Sequence, residues 1–152
     1  MRRPSRWTIV ALAGAAAVVT NLVLYELGRA AGGTFRFTSA GGPAEVDAIT
    51  VAGFSAVPLL IALAAVALLA PRAPWTVRAA LVVGPVLAVG TIAAMTLPAD
   101  FDRASTTTLA LCHLALAPII IVAVVAIGRR SAALRGAALR GPHEVDAARP
   151  AS

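Results

Sequence analysis

The sequence has no lysine and no glutamine, one asparagine (Asn21), one cysteine (Cys112) and only 13% charged residues. A single cysteine excludes an internal disulfide and any dithiol chemistry within the chain. Of the two histidines only His113 lies in an apolar run, since His143 falls near the C-terminus. That leaves no imidazole pair for a membrane-buried haem. No cofactor and no metal site is expected. Charge at this level, with 59% hydrophobic residues, is far from the ~25% charged residues of soluble domains. A soluble fold so composed would expose large apolar patches and aggregate. A lipid bilayer removes that problem.

All 13 basic residues are arginine and the formal net charge is +6. In a soluble protein such an excess would suggest a nucleic-acid partner. Here the arginines flank apolar runs, so they act as orientation signals in a membrane, and no nucleic acid is expected.

Four apolar runs stand out, at about 7–27, 49–70, 77–97 and 107–128. Each has ~20 residues, and at 1.5 Å rise that spans the ~30 Å hydrocarbon core. None alternates with period two as a barrel strand does. The sequence therefore predicts an all-α membrane fold, a four-transmembrane-helix bundle over residues 1–130, followed by a flexible cytoplasmic tail at 131–152. The first run is too long for the ~7–15-residue core of a cleaved signal peptide, and is expected to be retained.

Sorting arginines by loop orients the bundle. Arg2, Arg3, Arg6, Arg72, Arg78, Arg129, Arg130, Arg135, Arg140 and Arg149 fall on one side. Only Arg29, Arg36 and Arg103 fall on the other, beside Glu26, Glu45, Asp47, Asp100 and Asp102. The positive-inside rule places both termini in the cytoplasm and makes this a multi-pass plasma-membrane protein. Trp7, Trp75 and Tyr25 are placed as interfacial anchors. The 28–48 loop is the one sizeable outer element. In it Thr34-Phe35-Arg36-Phe37-Thr38 alternates like a strand before Gly41-Gly42-Pro43, giving either a hairpin arm or a cap over the bundle. Pro43 alternatively opens an early second helix with Glu45 and Asp47 in its first turns. Ser105 or Thr106 is the expected N-cap of the fourth helix. In the tail, Ala-Ala-Leu-Arg-Gly repeats at 132–136 and 137–141. Its leucines are ~140° apart around a helix, so they form no single apolar face.

Faces follow from helical spacing. Gly14, Val18, Asn21, Tyr25 and Gly28 form one stripe on the first helix, where small residues allow close approach and Asn21 can hydrogen-bond across the contact. Gly84, Ala88, Thr91 and Met95 on the third helix, and Ala110, His113 and Ala117 on the fourth, offer matching faces. Asn21, Tyr25, Glu26, Ser55 and His113 all fall towards the outer half, above inner halves of Ala, Val, Leu and Ile. These five are the ligand-binding candidates, because polar groups at membrane depth need partners. The structural alternative is that Asn21 and His113 simply pair as neighbours inside the bundle.

Asn21-x3-Tyr25, Ser55-Ala56-Val57-Pro58 and Leu111-Cys112-His113 together resemble an uncharacterised family of small four-helix actinobacterial membrane proteins, over about 7–128. The resemblance implies topology and no activity. No catalytic constellation emerges, so the chain is not expected to be an enzyme. Two classes remain. One is a non-catalytic membrane component or accessory subunit, alone, self-associated or with a membrane-protein partner. The other is a small-ligand or lipid-headgroup binder, or small transporter, using an outward polar mouth.

Overall fold

The computed structural model describes residues 4–147, with side chains described through residue 138. Helix α1 spans Arg6–Ala30, α2 Ala48–Leu69, α3 Trp75–Thr91 and α4 Arg103–Ala147. All four, α3 together with the π-helical turn that extends it to Thr96, are long and apolar enough to cross a membrane. Strands β1 (Arg36–Ser39) and β2 (Gly42–Glu45) pair antiparallel, with Arg36 opposite Glu45 and Ser39 opposite Gly42. The loop between α1 and α2 is thus a hairpin that also caps the bundle, and Pro43 belongs to its second strand rather than to a helix start.

Local chemistry sets the helix ends. The Ser5 side chain accepts the Thr8 N–H at 3.0 Å to cap α1, and Asp47 accepts the Thr50 N–H at 2.7 Å to cap α2. α4 begins at Arg103 because Asp102 is its cap, accepting the Ser105 N–H at 2.9 Å. Ser105 and Thr106, the expected caps, lie inside the first turn. At the far end α2 has no cation of its own in its last turn. Its orphan carbonyls are met from other helices: Arg6 donates to the Ala67 carbonyl at 2.7 Å and Arg135 to that of Ala70 at 2.8 Å. Unpaired C-terminal carbonyls carry the negative end of the helix dipole, which draws these guanidiniums.

α4 is the central helix. It packs against α1, α2 and α3, while α1 lies against α2 and α4, and α2 touches α3 little. The third helix does not meet the first, so its small-residue face fits α4. A Cβ on Gly84 would come within 2.7 Å of Ile120, and one on Gly128 within 2.9 Å of Val77. The α1 stripe is buried as the spacing implies, at Gly14, Asn21, Tyr25 and Gly28, with Ala17 rather than Val18 fully enclosed. On α3 a π-helical turn at Ile92–Thr96 shifts the face by one residue. An i→i+5 bond adds a residue to that turn, so Thr96 is buried and Met95 is 58% exposed. On α4 the enclosed residues are Ser105, Thr108, Cys112, Ala123, Val124, Ile127 and Ser131. Ala110, His113 and Ala117 are only half-buried.

The main apolar core lies towards the end that carries the termini, where Val10, Ala13 and Ala17 meet Leu59, Leu63, Val66 and Ile127. A smaller cluster of Tyr25, Phe35 and Val51 lies under the hairpin. Trp7 and Trp75 are exposed near the terminal end, as interfacial anchors are, but Tyr25 is only 1% exposed and belongs to the core. The tail also departs from expectation. α4 continues past residue 130, Ser131 is buried, and Arg135 is docked on α2. The bond to the Ala70 carbonyl holds this stretch where its own pattern provides no apolar face. Residues 148–152 of the expected tail lie outside the described residues.

Candidate functional site at the hairpin end

The connector between α3 and α4 runs antiparallel to the start of the hairpin, and its two aspartates hold that segment. Asp102 Oδ2 accepts from the Thr34 N–H at 2.9 Å, the Thr34 hydroxyl at 2.8 Å and the Ser105 hydroxyl at 2.7 Å. Asp100 accepts the Thr38 N–H and hydroxyl, both at 2.7 Å. The Phe37 and Phe101 rings meet alongside at 4.9 Å between centroids. Hydrogen bonds from Ser105 and Thr34 hold the Asp102 carboxyl well below its ordinary range. The bonds from Thr38 lower that of Asp100.

Between these ties the chain drives Phe35 down into the bundle. Its backbone has φ +55°, a left-handed conformation that costs an L-residue with a bulky side chain about 1–2 kcal/mol. Both of its backbone groups are satisfied: its N–H donates to Ser105 Oγ at 2.8 Å and its carbonyl accepts from Val46 at 2.9 Å. The ring is 1% exposed and lies 4.6 Å from that of Tyr25. Burial and aromatic contact offset the strained backbone.

One layer deeper, Asn21, Ser55 and Cys112 bring together α1, α2 and α4. Asn21 Nδ2 donates to Ser55 Oγ at 2.7 Å, and Ser55 donates onward to the Val51 carbonyl at 2.7 Å. The Cys112 thiol faces the Asn21 carbonyl at 3.8 Å. Asn21 is 2% exposed and its Oδ1 has no partner among the described residues.

The five candidates therefore separate. Asn21 and Ser55 form one buried contact, and Tyr25 supports the hairpin cluster while its hydroxyl accepts from Arg29 at 3.3 Å. His113 does not pair with Asn21. Its Nδ1 meets the Leu109 carbonyl one turn back on its own helix, at 2.8 Å, and Cys112 takes the place facing Asn21. A residue change of one position rotates ~100° on a helix, enough to move the imidazole off the seam. Glu26 is exposed on the outer surface of α1 beside Leu22, Val23 and Leu27, away from the others. No group of three or more His, Cys, Asp or Glu side chains is disposed to hold a metal among the described residues. Phe35, Asp100 and Asp102 were not among the candidates. The available signal was Asp-Phe-Asp in the connector, two carboxylates on one side of an extended segment, facing a threonine-rich strand.

The Asn21–Ser55 contact has a measurable consequence. Asn21→Leu and Ser55→Ala are each expected to lower thermal stability, with the double variant losing less than the sum. A coupling of about 0.6–2 kcal/mol fits a polar contact between membrane helices. Strict additivity in a detergent melt would mean that the bond contributes nothing.

No curated protein and no solved structure matches the chain. A family of unknown function, DUF6069, matches residues 1–130, from the N-terminus to the last membrane turns of α4. With four apolar helices and this match over most of its length, the chain is a multi-pass membrane protein of the DUF6069 family.

Proposed function

We propose that the protein is a non-catalytic component of the plasma membrane, an accessory subunit with both termini in the cytoplasm and a sealed cap on the outer face. The carrying observation is the closure of the hairpin end. Asp102 accepts from Thr34 and Ser105, Asp100 accepts from Thr38, and Phe35 fills the space beneath them. These polar groups spend their hydrogen bonds on holding the cap, the usual state of polar groups that serve a fold. The arginine distribution supports the orientation.

The orientation is tested with single cysteines in a Cys112→Ser background. Ala40→Cys, at the exposed hairpin tip, is expected to react with an impermeant thiol reagent in intact cells. Ala137→Cys, exposed on the far end of α4, is expected to react only after lysis. Labelling of Ala137→Cys in intact cells would reverse the orientation.

One observation favours the second reading, a small-ligand or lipid-headgroup binder. Asn21 Oδ1 is an enclosed acceptor without a donor among the described residues, and such a group costs about 1–3 kcal/mol unless something donates to it. A ligand-induced thermal shift that Asn21→Leu abolishes, while the variant itself melts like the wild type, would favour that reading over the structural one.

A further inference from the structure

At the end carrying the termini the described side chains include Arg6, Arg72, Arg78, Arg129, Arg130 and Arg135, and no carboxylate. Two of these cations serve the fold, Arg6 and Arg135 on the last carbonyls of α2. Arg129 and Arg130 make no hydrogen bond or ion pair among the described residues. Instead they line a groove of about 280 Å³ at the seam between α1 and α4, whose remaining walls are Pro4, Ile9, Val125 and Ala126.

We propose that this groove is a binding site for the headgroup of an anionic glycerophospholipid. Each guanidinium presents a planar fork of N–H donors that matches phosphate oxygens. Consecutive residues on a helix diverge by ~100°, so Arg129 and Arg130 flank a phosphodiester rather than stack on one side of it. Ile9, Val125 and Ala126 supply an apolar wall beside the two guanidiniums, against which an acyl chain can lie. Free phosphate makes no use of that wall. A zwitterionic lipid brings its own cation against Arg129 and Arg130, which no described carboxylate at this end offsets, so the site selects net negative charge. Basic pockets between membrane helices hold lipid headgroups on this principle. The site is independent of the hairpin end and of which leaflet it faces.

The test uses the full chain in phosphatidylcholine nanodiscs, with and without phosphatidylglycerol, read by thermal unfolding and by native mass spectrometry of retained lipid. Phosphatidylglycerol is expected to raise the wild-type midpoint and to be retained in preference to phosphatidylcholine. Arg129→Ala with Arg130→Ala is expected to lose most of that shift, as is Ala126→Trp, which fills the groove and keeps every charge. Arg72→Ala with Arg78→Ala removes as much charge from the same end outside the groove and is expected to keep it. Equal loss in that control would reduce the effect to diffuse surface charge and overturn the site. A matching shift from inorganic phosphate in pure phosphatidylcholine would overturn the lipid assignment. Should the groove variants fail to fold, the wild-type retention decides, and an absence of lipid preference overturns the proposal.

Discussion

Asp102→Ala is expected to unfasten the hairpin, and trypsin should then cut after Arg36 at least about tenfold faster than in the wild type. One carboxylate accepts from Thr34, from the Thr34 backbone, and from the backbone and hydroxyl of Ser105. Alanine removes all four bonds, and with them the cap of α4 and the support that orients Ser105 Oγ towards Phe35. Phe35 then has less to hold it in a left-handed conformation, and relaxation of its backbone withdraws the ring from Tyr25. Thr34→Val removes only the hydroxyl bond and is expected to accelerate cutting less. Unchanged cleavage in Asp102→Ala would show that ring burial alone keeps the hairpin closed. The same carboxylates fix the acid response. Their folded values lie below those of a free aspartate, so their contribution is complete above the unfolded value of about 3.9. It is lost progressively as pH falls below that value and is gone once pH has passed through the lower folded value. The Thr34 and Thr38 amide resonances should thus titrate with midpoints below about 3.9; midpoints at or above it would contradict these bonds.

Gly28→Ala is expected to be the most damaging single-methyl change in the membrane region. The added Cβ would overlap the Thr108 side chain and approach Phe35 Cζ at 2.9 Å. The α1–α4 seam would have to open, or Thr108 give up its bond to the Ala104 carbonyl. Overpacking of this kind costs about 1–3 kcal/mol, readable as a lower midpoint in a detergent melt and as faster cutting after Arg36. Gly53→Ala is the matched control, because nothing lies within 4 Å of its added Cβ. It should be neutral or mildly stabilising, since alanine is the better helix former. Gly14→Leu should also destabilise, but its first obstacle is the flexible Leu60 side chain at 2.7 Å. Equal midpoints for Gly28→Ala and Gly53→Ala would mean that the seam is looser than the glycine contact implies.

How much of this was legible in the sequence varies with the range of the interaction. The four spans and the α1 stripe depend on local hydropathy and helical periodicity, and both are visible in one chain. The partner of Asn21 was not legible, because Ser55 and His113 lie at similar depth and only the packing order of the helices chooses between them. Regular spacing puts Met95 on the inner face, but a π-helical turn that no residue type announces breaks that spacing. Tyr25 fits both the inward stripe of the first helix and an interfacial anchor, and only the descent of Phe35 onto its ring decides for the core. That descent rests on ties to Asp100 and Asp102, more than sixty residues away in the chain.

That separation has a consequence for synthesis. The hairpin leaves the ribosome directly behind α1, whereas both of its fasteners emerge after α3. While α2 and α3 are being inserted, Phe35 has no Ser105 to engage and Thr34 and Thr38 have no carboxylates to bind. Closure of the cap therefore reports that the last helix has arrived in register. A chain stalled or truncated before Asp100 lacks every one of these fasteners, so its aromatic loop has nothing to close against.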